Sequence, residues 1–324
     1  IKLVEGWRFV FGGDSPDKGG AIGGSYRVTM SLVRLKEVYG ERVTLILGNR
    51  DLNKLRFSSE LADSQLSHSR LRSVPGPYWL PESKRMSPRK YLEKVLNKTD
   101  ATDEELQRVN TPMNRLKWMF VETMGAADEE QRRRAELSKM RMGQPVGDNE
   151  LFEHFRDSIS SPDGFMRRFI ELGQLVALYD GTLYVHGGVI GSGFTDGGGD
   201  GMGVGRGEPT GSSSQSDKSV SPPSRESSVR FAKESTYASI DDVPTIKMGK
   251  SARGQWDDTG GLWRTASQKS EWRDCVGLVP NLDERIEDVV KWVEALNLWK
   301  VRMLEEWAAH PQWDHPDQRN WRGG

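Results

Sequence analysis

The stretch WRFVFGGDSPDKGG, residues 7–20, reads as a strand that runs directly into a glycine-rich acidic loop. Trp7, Phe9, Val10 and Phe11 form a short β-rich apolar run, and Gly12 and Gly13 end it, which predicts a buried central strand. Over residues 25–39, Val28, Leu32, Leu35 and Tyr39 recur at helical spacing and Gly40 marks a stop. Residues 43–47, VTLIL, are a continuous, largely β-branched run ending at Gly48, as a parallel strand covered on both faces would be. Strand, loop, helix and strand make one βαβ unit. Ligands in open α/β sheets bind at the carboxyl ends of the strands, and Asp14 and Asn49 both stand at such ends.

Outward from that unit, residues 57–179 read as mainly helical. Ser87 and Pro88 give a cap signal, residues 128–141 a charged helix, and residues 165–178 an apolar-periodic one. A short strand at 183–185 delivers His186, Gly187 and Gly188 to a further loop. Residues 191–228 are rich in Gly and Ser with few apolar side chains, so they bury too little to offset their ordering entropy and are expected to be disordered. Some structure is expected to return near Trp263. A long helix is predicted over 283–309, where Ile286, Val289, Val293, Leu296, Met303 and Trp307 keep three-and-four spacing broken at Lys300. The expected division is a first core part over 1–56, a helical insertion or cap over 57–179, a core strand over 180–190, a mostly disordered low-complexity segment over 191–260 and a C-terminal helical segment over 261–324.

Composition narrows the function classes. Lys and Arg number 46 against 47 Asp and Glu, so no global field draws the 324-residue chain to nucleic acid or to an anionic membrane. Hydrophobic residues make up 35% and the mean hydropathy is −0.66, so a considerable share of the length is exposed or looped. Cys275 is the single cysteine, which excludes an internal disulfide and fits a cytoplasmic setting. No apolar run reaches the roughly 18 to 20 residues of a membrane helix. The chain starts at Ile1 and stops at RNWRGG, which reads as a fragment.

Two-metal hydrolysis needs hard or borderline ligands from several loops, with one oxygen bridging ions about 3.5 to 4 Å apart. Asp14 offers a carboxylate flanked by glycines that permit close approach, Asn49 an amide oxygen, and His186 an imidazole nitrogen. Together they are plausible ligands for Mn, Fe or Zn. At these residues the chain resembles a known family: GDSPDKG is similar to the GDxxDxG motif of calcineurin-like metallophosphoesterases, LGNRD to their GNH(D/E) motif, and YVHGGV to the HGG motif of the serine/threonine protein phosphatase branch.

The resemblance covers mainly residues 7–56 and 180–190. It implies an α/β fold, a central β-sheet with flanking helices forming an incomplete sandwich, in which the helical and the disordered Gly/Ser-rich stretches read above stand as insertions. It implies two divalent ions, with Asp14 bridging both and Asn49 and His186 holding the second. It also implies hydrolysis of a phosphate monoester, on a small molecule or a protein, by a metal-bound hydroxide. The family's DxH and GHxH motifs do not occur in the chain, so weak or no activity is expected of it as it stands. Arg50 occupies the place of the family's proton-donating histidine. A guanidinium stays charged and is a poor acid, so Arg50 is expected to clamp phosphoryl oxygens, with Asp51 fixing its orientation and Lys18 adding a second contact to phosphate.

Other polar residues carry plainer expectations. Asp17 reads as an orienting partner within its loop, and Asn53, Lys54 and Arg56 as a solvated helix start or as phosphate contacts. His154 reads as a surface residue, His68 as part of a polar loop, and His310 with His315 as a helix exit. The Arg132–Arg134 run, alternating with acids, reads as a solvated helix face, and the eleven tryptophans chiefly as core. Two rival functions remain: a catalytically inactive scaffold of the same fold, and an interaction module built on the long helix and the segment SVSPPSRESS.

Overall fold

The computed structural model describes residues 2–17, 24–74, 76–77, 80–187, 277–280, 282, 285–309 and 311. Lys18, Cys275, His310, His315, the Gly/Ser-rich stretch and the region of Trp263 lie outside these residues. The chain is mixed helix and sheet, mostly helical, with two small two-stranded sheets.

The predicted βαβ unit is present. Strand β1 (Phe9–Phe11) pairs in parallel with β2 (Val43–Leu45), Phe9 opposite Val43 and Phe11 opposite Leu45, and helix α1 (Ser25–Tyr39) lies between them in the chain. The centre of the sheet differs from expectation. All three β2 residues are buried, and past Leu45 the chain keeps pairing on its other side, with Leu47 N donating to Gln174 O at 2.8 Å and Gln174 N to Leu45 O at 2.7 Å. β1 is only half-buried, and Trp7 is 68% exposed, because the turn at Gly6 (φ 78°) diverts the chain before the strand starts. Among the described residues β1 is therefore the more exposed strand of the pair, and the β2 segment is the one that also bridges, at Ile46, to Gln174.

The remaining helices are α2 (Asn49–Leu52), α3 (Arg56–Glu60), α4 (Asp63–Leu66), α5 (Pro88–Val95), α6 (Asp103–Val109), α7 (Pro112–Trp118), α8 (Glu129–Met140), α9 (Asp148–Ser160), α10 (Phe165–Leu172) and α11 (Val289–Ala309). Their starts follow local chemistry: Ser87 caps α5 by accepting from Lys90 N at 3.3 Å, and Thr102 and Glu105 form a reciprocal capping box on α6. One apolar cluster joins Leu32 and Leu35 of α1, Leu45 of β2, Phe57 of α3, Leu116 of α7, Phe155 of α9 and Phe169 of α10.

The helix expected over 165–178 ends at Leu172, and β3 (Val176–Tyr179) follows, paired antiparallel with β4 (Thr182–Val185). Asp180 and Gly181 both have positive φ, 47° and 74°, as a two-residue hairpin turn matched to strand twist requires. Trp292 and Val293 of α11 pack with Val176 of β3 in a second apolar cluster. Lys300, which interrupts the apolar spacing of α11, is buried and donates from Nζ to Glu171 O at 2.9 Å, so it satisfies a carbonyl in the last turn of α10. Burial pushes its ammonium down to about 8.

The charged run on α8 is not a solvated face. Arg133 is 2% exposed and Glu136 fully buried, because α8 supplies what the start of α1 lacks. Gly24 gives α1 no side-chain cap, and the Glu136 carboxylate accepts instead from Tyr26 N at 3.2 Å and Arg27 N at 2.9 Å. Burial alone would raise the Glu136 carboxyl, but the backbone N–H groups of Arg27, Gly24 and Tyr26, with Arg133, bring it below its ordinary value. Arg133 donates to Glu129 Oε1 at 3.0 Å and stacks over Phe155 at 4.7 Å.

His154, expected at the surface, is half-buried. Its ring packs edge-on to Tyr26 at 4.8 Å, and Nδ1 accepts from Arg133 at 3.4 Å. Burial, then the Arg133 charge, push its pKa down from 6.5 to about 4. The unfolded imidazole protonates near 6.5 and the folded one only near 4. Stability is therefore complete above about pH 6.5 and falls as the pH drops toward 4, by on the order of 3 kcal/mol. Urea unfolding across that range checks this, and His154→Gln is expected to flatten the acid limb.

Candidate active site at the strand tips

Beyond Phe11 the chain turns through Gly12 and Gly13 into a loop where Asp14 (φ 58°) and Asp17 (φ 67°) both take left-handed backbone conformations. Such φ values are uncommon outside glycine and are sustained only where surrounding bonds impose them. Asp51 is the main source of those bonds. Fully buried on α2, it accepts from Gly48 N at 2.7 Å and Asp14 N at 2.9 Å on Oδ2, and from Ser15 N at 2.9 Å and Ser15 Oγ at 3.0 Å on Oδ1. One carboxylate thus fastens the tip of β1 to the tip of β2. Burial raises its pKa, and the backbone donors at Gly48, Asp14 and Ser15 oppose that rise. Asp51 is therefore committed to the loops and not to the Arg50 side chain that it was expected to orient.

The two tips pack in close contact. A Cβ on Gly13 would lie 2.6 Å from His186 Nδ1 and 2.8 Å from Gly48 N, so a side chain there is sterically excluded as well as strained at φ 94°. His186 leaves the end of β4 and meets this junction: its Nδ1 lies 2.7 Å from Gly12 O, and its Nε2 3.3 Å from Asp14 Oδ1. A carbonyl only accepts, so Nδ1 carries a proton and Nε2 faces the carboxylate. Asp14 Oδ1 also accepts from Arg50 N at 3.1 Å.

Of the three expected ligands, Asp14 and His186 are brought together. Asn49 stands exposed as the first residue of α2, and its amide has no hydrogen-bond partner among the described residues. No group of three His, Cys, Asp or Glu side chains among the described residues is arranged to hold an ion. The Asp14–His186 pair nevertheless fits a cation. Ligand bonds of about 2.0 to 2.2 Å at tetrahedral angles place neighbouring donor atoms about 3.4 Å apart, and the observed separation is 3.3 Å. A ring nitrogen bonded to a backbone carbonyl is also how ligating histidines are commonly oriented.

The Arg50 guanidinium sits among several longer contacts. Its Nε is 3.6 Å from Asp14 Oδ2, and NH1 is 3.5 Å from Asp17 Oδ2 and 3.4 Å from both Met124 O and Gly125 O. These carbonyls follow a π-helical turn, Met119–Thr123, that extends α7. Asp17 in turn holds Lys54, whose Nζ lies 2.6 Å away. Lys54 is 2% exposed, so it is neither a solvated helix start nor a phosphate contact. Burial lowers its ammonium, and Asp17 is the strongest opposing influence. Asp17 was expected to bond within its own loop, but its side-chain partners are on the helical turns after β2. The spacing held a signal for this cluster: Asp17 follows Asp14 by one turn of loop, and Lys54 follows Arg50 by one turn of helix.

No family model, no curated protein and no solved structure matches this chain.

Proposed function

We propose that the chain carries the site of a calcineurin-like metallophosphoesterase, a hydrolase of phosphate monoesters on small molecules or proteins. In this reading β1 and β2 belong to the family's sandwich. The observation that carries it is the convergence of three strand tips. The Asp14 carboxylate and the His186 imidazole, from tips of different sheets, face each other at 3.3 Å beside the start of α2, where Asn49 and Arg50 stand.

Asp14 and His186 would hold a divalent ion of the Mn, Fe or Zn class, with the Asn49 amide oxygen as a further ligand and Asp14 shared with a second ion. When bound, such ions supply Lewis acidity toward the phosphoryl group and a more acidic water. The chain's own groups do the rest. The Gly12 carbonyl keeps the proton on His186 Nδ1 and leaves Nε2 for a ligand. Gly13 and Gly48 remove the bulk that would separate Asp14 from His186. Arg50 binds phosphoryl oxygens and stabilises the charge that develops on them, and Lys18, outside the described residues, would add a second contact. A guanidinium keeps its protons at any ordinary pH, so the leaving oxygen takes its proton from another source.

One contact favours the rival reading of an inactive scaffold. Arg50 Nε lies 3.6 Å from Asp14 Oδ2, where the protein's own cation would stand in for an ion. Turnover of p-nitrophenyl phosphate by the full gene product, with Mn²⁺ and after chelation, separates the two. The enzyme is expected to lose its rate with the metal, and Arg50→Ala to lower it by roughly 10²-fold. No turnover with any divalent metal would leave the scaffold, and an unchanged rate in Arg50→Ala would remove the assigned role of Arg50.

A further inference from the structure

We propose that Lys54 is a positioning residue for Arg50, acting through the carboxylate of Asp17; this rests on the reading of Arg50 as the phosphoryl clamp. Among the described residues, every contact that holds the Arg50 guanidinium is long, between 3.4 and 3.6 Å. Contacts of that length do not fix a side chain unless the partner groups are themselves immobile. Asp17 has that property. Its side chain is fully buried, and Oδ2, the oxygen nearest Arg50, is bonded to Lys54 Nζ at 2.6 Å, a charge-assisted bond in a desolvated setting.

Lys54 is placed for this role on all sides. Its ammonium meets Asp17 Oδ2, Asn53 Oδ1 at 2.8 Å and Met124 Sδ at 3.8 Å. Two of these three partners, Asp17 and Met124, are also the groups that Arg50 touches, Met124 through its carbonyl. Lys54 and Arg50 are therefore two cations sharing one frame, one of them buried within it and the other 21% exposed at the edge of the site. Asp17 Oδ1 is buried without a hydrogen-bond partner among the described residues, so Lys54 is the strong compensation for this carboxylate there. Without the ammonium the buried carboxylate would lose the bond that fixes Oδ2 beside Arg50, and Arg50 would lose the held partner that directs it.

A purely structural ion pair would predict something different. Removing one partner leaves a buried charge uncompensated, whereas replacing both with neutral groups restores stability. Lys54→Met alone is expected to lower the melting temperature, and Asp17→Asn/Lys54→Met to regain most of it. The double variant is nevertheless expected to turn over p-nitrophenyl phosphate about 10- to 100-fold more slowly than wild type. Adding Arg50→Ala to it is expected to bring the total loss to no more than the roughly 10²-fold of Arg50→Ala alone, since both changes remove one function.

The Arg50 Nε–H resonance, assigned by its loss in Arg50→Lys, gives a readout independent of turnover. It is expected to be dispersed in the wild-type protein and to move toward the position of free arginine in the double variant. A refolded double variant with wild-type turnover and an unmoved Arg50 resonance would overturn the proposal. A wild-type full gene product without turnover would instead defeat the phosphoesterase reading, and the resonance would then decide positioning alone: moved supports it, unmoved refutes it.

Discussion

Asp51→Asn is expected to destabilise the protein by roughly 2 to 5 kcal/mol, although the two side chains have nearly the same shape. The carboxylate accepts from four donors, two on each oxygen. An amide keeps one oxygen and points an N–H₂ group at the other two donors. If it faces Gly48 N and Asp14 N, one buried and one partly buried backbone donor are unsatisfied, each costing about 1–3 kcal/mol. If it faces Ser15, the hydroxyl can rotate to accept and the buried Ser15 N alone is left unsatisfied, which sets the lower end of the range. Urea unfolding at pH 7 measures the loss. A change below about 1 kcal/mol would mean that Asp51 does not fasten the two strand tips, and the account of how Asp14 is held in its left-handed conformation would fail with it.

Gly48→Ala is expected to damage the site more than its size suggests. Gly48 has φ −97° and ψ 169°, an extended conformation open to any residue, so backbone strain contributes nothing. The effect is one of contact. A methyl group there would overlap the Asp14 carboxylate and stand 2.7 Å from Asp14 N and 2.8 Å from His186 Cε1. Overpacking of this kind costs about 1–3 kcal/mol. Because the atoms displaced are those of the proposed ligand pair, divalent metal affinity is expected to fall at least about tenfold as well. Gly12→Ala is the control: a Cβ there meets nothing within 4 Å, and both stability and affinity should stay near wild type. Equal behaviour of the two variants in a Mn²⁺ titration would show that Asp14 and His186 do not act together.

Where the sequence was legible, local pattern decided the structure. The apolar run of β2, the heptad-like spacing of α1 with Gly40 at its end, and Ser87 before Pro88 each carry their reason within a few residues. The same holds for Asp14 and His186, whose neighbouring glycines mark places where backbones come close. The misreadings share a different physics. Nothing in the Arg132–Arg134 run says that Glu136 will cap a helix more than one hundred residues earlier, so the run looks solvated. Asp51 stands next to Arg50 in sequence, yet its oxygens serve residues across the sheet.

Lys54 looks like a surface lysine until Asp17, from another loop, provides its counter-charge. β3 was hidden because its apolar residues continue the helical spacing of α10. The Asp180-Gly181 pair between apolar runs was the signal that outweighs that periodicity.

The most direct test of the central claim, that Asp14 and His186 share a cation, is calorimetric titration of Mn²⁺ into the wild-type protein and into Asp14→Asn and His186→Gln. Saturable binding is predicted for the wild type, weakened at least about tenfold in each variant. Wild-type protein that takes up no divalent ion, or variants that bind as tightly as it does, would contradict the account and leave the 3.3 Å contact as an ordinary aspartate–histidinium pair.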